Sequence, residues 1–265
     1  MESLEVELAR ARELDIDDLT DAIASIGFEC TRCGGCCTGY APDEPGGAPA
    51  GDGAKSSRDD GDGSCHDTET DTSGEPHTAT IFPDEVRAVA DAAEEAFDES
   101  YDWRDVARPM PFGLSEDEDG RTVGETFEWA LATDGCGDCT FYQETDGKGA
   151  CTVHDSRPLI CRTYPFSVAL DGTSQPMGEA VDAEGIVRAH ECEGLGRDIS
   201  REEAAELAAA LKRRAVRELE EAIGVRDGYD PTASDRADGS VVVFDSEGPK
   251  EANGTLVDER PIDDG

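Results

Sequence analysis

Cysteines carry the chemistry of this chain. Four of them, Cys30, Cys33, Cys36 and Cys37, stand in the run F-E-C-T-R-C-G-G-C-C. Thiolates at such short intervals converge on one point when something binds them there. Soft metals are the natural binder: zinc, or the iron of an iron–sulfur cluster. C-x-x-C-x-x-C spacing lets three thiolates wrap a metal or one face of a cluster. It is like the opening of a ferredoxin-type run, but lacks that run's fourth spacing and its following proline. Gly34 and Gly35 allow the backbone to fold close to the ligand. Cys36 and Cys37, being adjacent, point in diverging directions. They serve two metals, or one ligates while the other supports it. Inert buried thiols, or a redox pair with another molecule, are the competing readings.

A second set follows: Cys136, Cys139, Cys151, Cys161 and Cys192, most of it within C-T-F-Y…G-A-C-T-V-H-D-S-R-P-L-I-C-R-T-Y-P-F. Pro158 and Pro165 restrict the backbone on either side of Cys161. Arg157 and Arg162 stand where guanidinium groups can offset the negative charge of several thiolates. Pairing with surface acid is their alternative role. His190, two residues before Cys192, is a candidate ligand or ligand support. Cys65 and His66 form a weaker pair inside a polar stretch.

The ordered set resembles the CxxCxxCC cysteine-cluster proteins (the YkgJ-like family), described as zinc- or iron-chelating. The opening element is Cys30, Cys33, Cys36 and Cys37 after Phe28. Cys139 with Phe141, and Cys151 with Val153 and His154, match the next two. Arg157-Pro158, Cys161-Arg162 and Tyr164-Pro165-Phe166 match the fourth, and Cys192 in H-E-C-E-G-L-G the last. The resemblance covers roughly residues 27–210. His154 stands where Tyr is usual, residues 41–78 are an insertion, and Cys65 and Cys136 are additional. The resemblance implies eight ligands, Cys30, Cys33, Cys36, Cys37, Cys139, Cys151, Cys161 and Cys192. They would make two four-cysteine sites, or one cluster and one metal, with Arg157 and Arg162 in support. One branch of the family resembles flagellin lysine N-methylases, which brings protein methylation in as an inherited activity.

Three functions therefore compete: a metal chelator without catalysis, an iron–sulfur enzyme (methyltransferase or oxidoreductase), and an electron carrier. A methyl donor commonly needs a Gly-rich turn between strand and helix. Gly194-Leu195-Gly196 is the only candidate, and it lacks the third glycine. A plain turn between Cys192 and the next helix suits those glycines better. Whether the protein is an enzyme, and what protein substrate or redox partner it has, stay open.

The elements that must position the thiols are short. Residues 2–26 read as helical, with Asp15 able to cap Ile16, Leu19, Ile23 and Ile26, and Gly27 to stop the helix. Residues 41–79 are rich in Gly, Asp, Ser and Pro and have almost nothing to bury. Pro83 opens a helix with Val86, Val89, Ala90, Ala93 and Phe97 on one side. Phe127, Trp129 and Leu131 alternate in one strand over 122–132, with a turn at Asp134-Gly135. A hairpin turning at Asp146-Gly147 brings Cys139 and Cys151 together near its open end. F-S-V-A-L-D-G begins another. Ser200 and Glu203 form a capping box for a helix over 201–223 that Gly224 ends. Its apolar face is Ala204, Leu207, Ala208, Leu211, Ala215, Leu219 and Ile223. Lys212, Arg213, Arg214 and Arg217 read as its salt-bridged solvent face. Beyond Tyr229 the chain reads as an acidic tail, with V-V-V-F-D as one strand of a small hairpin.

The expected fold is α+β, small and irregular: short helices and β-hairpins organised around cysteine-ligated metal, with one long helix toward the C-terminus. Aromatic content is only 6%, so ligation is expected to outweigh the apolar core. The expected parts are an N-terminal helical segment (1–26), a cysteine-cluster domain (27–224) and the tail (225–265).

The formal net charge is -40, from 23 basic and 63 acidic residues. At molar salt the Debye length falls to about 3 Å and such self-repulsion is screened. The charge reads as a halophile's adaptation to a salt-rich cytosol, with a disordered acidic chain as the rival. It argues against nucleic acid and against anionic membrane surfaces as partners. No secretion signal and no membrane-spanning run is apparent, and free thiols suit a reducing cytoplasm.

Overall fold

The computed structural model describes residues 3–39, 76–145, 148–170, 180–182, 184–236 and 240–257. Cys65 and His66, the Asp146-Gly147 turn, Asp171-Gly172 and residues 258–265 lie outside them.

The N-terminal stretch forms two helices, α1 (Leu4–Glu13) and α2 (Ile16–Ile26). Asp15 divides them: its extended backbone interrupts the helix, and its carboxylate accepts from the N–H groups of Asp17 and Asp18 at 2.7 and 3.3 Å. That is an N-cap. Next come β1 (Thr80–Ile81), α3 (Pro83–Phe97), α4 (Trp103–Val106), β2 (Ala107–Pro109), β3 (Leu114–Glu116), β4 (Thr122–Thr126) and β5 (Trp129–Leu131). β6 (Tyr142–Thr145) and β7 (Lys148–Cys151) make the expected hairpin, with Tyr142 opposite Cys151. A 3-10 turn (His154–Ser156) leads to α5 (Leu159–Thr163), β8 (Phe166–Val168), β9 (Ala180–Asp182) and β10 (Val187–His190). The long helix α6 (Arg201–Gly228), α7 (Ala233–Arg236), β11 (Val241–Asp245) and β12 (Gly248–Glu251) complete the α+β fold.

The strands form small sheets in the orders β1-β5-β2, β8-β10-β9 and β12-β11-β4-β3, beside the β6-β7 hairpin. Residues 122–132 are not one strand. β4 pairs with β3 and, in parallel, with β11, whereas β5 pairs with β1 and β2. Alternation did not separate two faces here, since β5 is buried throughout while Phe127 is exposed, and it did not reveal which sheet each half would join. The partner of β8 is β10, from the far side of the stretch read as its hairpin. The segment read as tail contributes β11, buried along its whole length.

Three apolar clusters hold these elements together, a larger core than an aromatic content of 6% implies; the smallest is Ala233, Val242, Phe244 and Val257. In the first, α6 presents Ala204, Ala208, Leu211, Ala215 and Leu219 to Leu8, Leu19 and Ile23 of α1 and α2 and to Phe166 and Val168 of β8. The small residues let α2 approach α6 closely. The second gathers Val86, Val89 and Ala93 of α3, Trp129 and Leu131 of β5, Val241 and Val243 of β11, and Cys139, Phe141, Tyr142 and Val153. The capping box at Ser200 and Glu203 is present. The helix runs past Gly224, however. A Cβ there would stand 2.6 Å from Cβ of Ser246, so the glycine lets the β11–β12 turn sit against the helix instead of ending it. Among the described residues no helix is long and apolar enough to cross a membrane.

Candidate metal centre

The segment after α2 carries Cys30, Cys33, Cys36 and Cys37, and it is pinned from two sides. On one side Glu29 N–H donates to Gly194 O at 3.0 Å, and Gly196 N–H donates to Gly27 O at 3.0 Å. A Cβ on Gly194 would stand 2.2 Å from Glu29 O, and one on Gly27 2.4 Å from Arg197 O. Backbone meets backbone here because there is no side chain between. This is what Gly194-Leu195-Gly196 does, and it sets Cys192 beside the opening run. Phe28 anchors the same segment edge-on to Phe166, 5.7 Å between ring centroids.

On the other side Cys139 N–H donates to Cys37 O and Gly149 N–H to Arg32 O, both at 2.8 Å. Tyr142 lies over two glycines: a Cβ would stand 2.2 Å from its Oη at Gly34 and 2.6 Å from its Cε2 at Gly149. Gly34 also has φ +83°, a left-handed conformation that side chains disfavour. The hairpin is thereby laid against the cysteine run, bringing Cys139 and Cys151 to Cys37.

Cys161 sits on α5, which is held by two residues that the sequence did not single out for this. Glu85 of α3 accepts from the N–H groups of Leu159 at 2.8 Å and Phe82 at 3.2 Å. Arg214 of α6 donates to Thr163 Oγ1 at 3.0 Å, to Phe166 O at 3.2 Å and to Glu218 at 2.7 Å. Arg214 is only 1% exposed, which corrects its placement on a solvent face. A guanidinium can satisfy several acceptors at once in a fixed geometry, and that is its use here. Its neighbour Lys212 donates to Leu14 O at 2.7 Å, and Arg217 pairs with Asp84 at 2.6 Å.

As a result Cys30, Cys33, Cys36, Cys37, Cys139, Cys151, Cys161 and Cys192 all line one groove of about 2260 Å³, together with Arg157 and Arg162. All eight are free thiols. Cys136 is disulfide-bonded and does not belong with them. Order along the chain misleads about who neighbours whom. Cys37 packs with Cys139, Cys151 and Cys161 against the second apolar cluster. Cys192 instead feels the charges of Cys33, Cys36 and Cys30. His190 is buried and turned onto its sheet, Nε2 2.8 Å from Ser167 Oγ.

The electrostatics of the groove are those of crowded thiols. Burial raises the pKa of Cys139 to about 11. Burial also raises Cys161, Cys151 and Cys192. Cys36 is the exception, lowered to about 7 by its hydrogen bond with Cys37 and by the Arg157 guanidinium. Cys37 is raised by that same hydrogen bond, for it keeps the proton. The charge of Arg157 also reaches Cys151 and Cys161. Arg162 is exposed on the groove wall.

The donor set fits a soft metal. The sulfurs of Cys36 and Cys37 are 3.8 Å apart, and thiolates are the ligands that zinc and iron–sulfur clusters take. Among the described residues no three Cys, His, Asp or Glu side chains stand at metal-ligand separation as they are; the thiols ring the groove. No curated protein and no solved structure matches the chain. A family model described as "putative zinc- or iron-chelating domain" matches residues 29–193, and the chain belongs to that CxxCxxCC family.

Proposed function

We propose that this protein chelates zinc or an iron–sulfur cluster through Cys30, Cys33, Cys36, Cys37, Cys139, Cys151, Cys161 and Cys192. One observation carries the reading: eight free thiols, brought from separate stretches of the chain, line a single groove. Thiolates are the active ligands, so binding releases the protons that burial helps to keep on Cys139, Cys151, Cys161 and Cys192. Arg157 offsets part of the negative charge that accumulates on Cys36, Cys151 and Cys161. Arg162 at the wall adds to the same field. A metal held by these thiolates would tie α5, the β6–β7 hairpin and the cysteine run to one another. The net charge of -40 makes polyanions such as nucleic acid poor partners.

An iron–sulfur cluster would also open electron transfer and redox catalysis, with Arg157 favouring the reduced form by its charge. Lysine methylation draws no support from Gly194-Leu195-Gly196: Gly194 serves the close approach to Glu29, and Gly196 takes a left-handed φ of +74° in the turn. The deciding experiment is anaerobic purification at high salt, followed by total metal, inorganic sulfide and a visible spectrum. Colourless protein containing zinc selects the zinc centre. Iron with sulfide and broad visible absorption selects the cluster. Protein that takes up neither under reducing conditions defeats the proposal.

A further inference from the structure

We infer that the eight thiols form two unequal centres: an inner one of Cys37, Cys139, Cys151 and Cys161 that locks the fold, and an outer one of Cys30, Cys33, Cys36 and Cys192 whose metal exchanges with solution. This rests on the chelation reading above and goes beyond it.

Packing first separates the sets. Cys139 is buried in the core of Trp129, Leu131, Phe141 and Val153, and Cys37, Cys151 and Cys161, each half-buried, pack against that core. Cys36 and Cys192 are half-buried too but are not part of that cluster, and Cys30 and Cys33 are exposed. What holds each set differs as well. Two inner sulfurs sit on packed secondary structure, Cys161 on α5 and Cys151 at the end of β7, and Cys139 and Cys37, outside the named elements, are joined by a backbone hydrogen bond of 2.8 Å. The outer sulfurs sit on irregular chain, with Cys192 tied by the Gly194 and Gly196 hydrogen bonds. Finally, the hydrogen bonds from Glu29 N–H to Gly194 O and from Gly196 N–H to Gly27 O lay the Cys192 turn against the segment that leads into Cys30 and Cys33. Cys36 adjoins the inner set, its sulfur 3.8 Å from that of Cys37. It is the corner at which the two centres meet.

A metal in the inner set leaves only when core packing opens, so its release is coupled to unfolding. A metal in the outer set is reached by an incoming thiol or chelator through Cys30 and Cys33 without disturbing the core. The outer centre is thus the one that can give metal to, or take it from, a soft-ligand acceptor.

The test uses the full chain, reduced, emptied of metal and reloaded with Zn2+ alone, then challenged with an excess of chromophoric chelator at molar salt. Eight thiols at four per zinc predict two zinc ions per chain. One should leave in a fast phase and the other at least about tenfold more slowly, at the rate of core opening. Cys33→Ser and Cys192→Ser should each abolish the fast phase and spare the slow phase and the melting temperature. Cys139→Ser and Cys161→Ser should lose the slow phase and melt lower. If the inner variants fail to fold, the outer ones still decide the matter. Release of both ions at one rate, a single ion per chain, or loss of the slow phase in Cys33→Ser overturns the two-centre inference while leaving chelation standing. Absence of any thiol-bound metal overturns chelation itself.

Discussion

Cys161 and Cys30 carry the same functional group and line the same groove, yet the chain treats them differently. The wall that bears Cys161 is built like a core: a helix capped by Glu85, braced by the buried Arg214 and packed with Cys37, Cys139 and Cys151 against aromatic and aliphatic side chains. The rim that bears Cys30 is irregular chain, held by main-chain hydrogen bonds and by glycines that permit close approach. Rigid packing around a ligand ties its binding to folding, while a ligand set on loosely packed chain can open on its own. The difference teaches that a single donor chemistry can be divided by its surroundings into a structural part and an accessible one.

The largest effect should come from removing the brace of the wall. Arg214→Ala deletes donors to Thr163 Oγ1, Phe166 O and Glu218 and leaves those acceptors without them. Removing one partner of a buried ion pair costs about 3–5 kcal/mol. Glu218 is 28% exposed at its side chain, and water there should bring the loss toward the lower figure. Denaturant unfolding at molar salt checks it. A loss below about 1 kcal/mol, the scale of a surface pair, would mean that the wall does not depend on Arg214 and would weaken the contrast with the rim.

A second effect is a pH dependence at the wall. His77 lies beside the Cys139 loop: its N–H donates to Gly137 O at 2.8 Å, and its carbonyl accepts from Arg108 at 2.8 Å. It is 3% exposed. Burial, and then the Arg108 charge, lower its pKa from 6.5 to about 4. The unfolded chain therefore binds a proton that the folded chain refuses. The stabilisation is complete above pH 6.5 and is lost as pH falls through 6.5 toward 4, to a limit of about 3 kcal/mol. Carboxylates titrate in part of that window, so the readout is a difference. His77→Gln should unfold with a shallower loss of stability between pH 6.5 and 4 than the unaltered chain. Equal slopes would show that His77 is not held neutral.

What the sequence made legible follows from the range of the interaction involved. The cysteine run, the Asp15 and Ser200 caps and the hairpin pairing Tyr142 with Cys151 are local, and their residue types and spacings state them. Gly224 could be read as a stop or as a point of close approach, and only Ser246, distant in the chain, decides. Arg214 looks like its basic neighbours until α5 and β8 are laid on the helix. Phe127 alternates with Trp129 and Leu131 but is 47% exposed, because the strand is broken between two sheets. The thiols were legible as a set and not as partners: which of them meet depends on how Gly194 folds back on Glu29, and no spacing along the chain encodes that.

That fold-back gives the smallest of the effects and the one most specific to the rim. In Gly194→Ala the new Cβ would stand 2.2 Å from Glu29 O and 3.1 Å from Phe28 Cε2. The first is backbone and cannot swing away, so the 194–196 turn must separate from the 27–29 segment. Forced overpacking of this kind costs about 1–3 kcal/mol. The cost itself does not distinguish rim from wall, but its location does. Separation carries Cys192 away from Cys30 and Cys33 and leaves the hydrogen bond between Cys139 and Cys37 untouched. Gly194→Ala should therefore speed release of the exchangeable zinc and leave the slow one unchanged, while Arg214→Ala should act the other way round. If both substitutions moved both zinc ions together, the groove would be one centre, and the contrast between its two sides would be a matter of burial without chemical consequence.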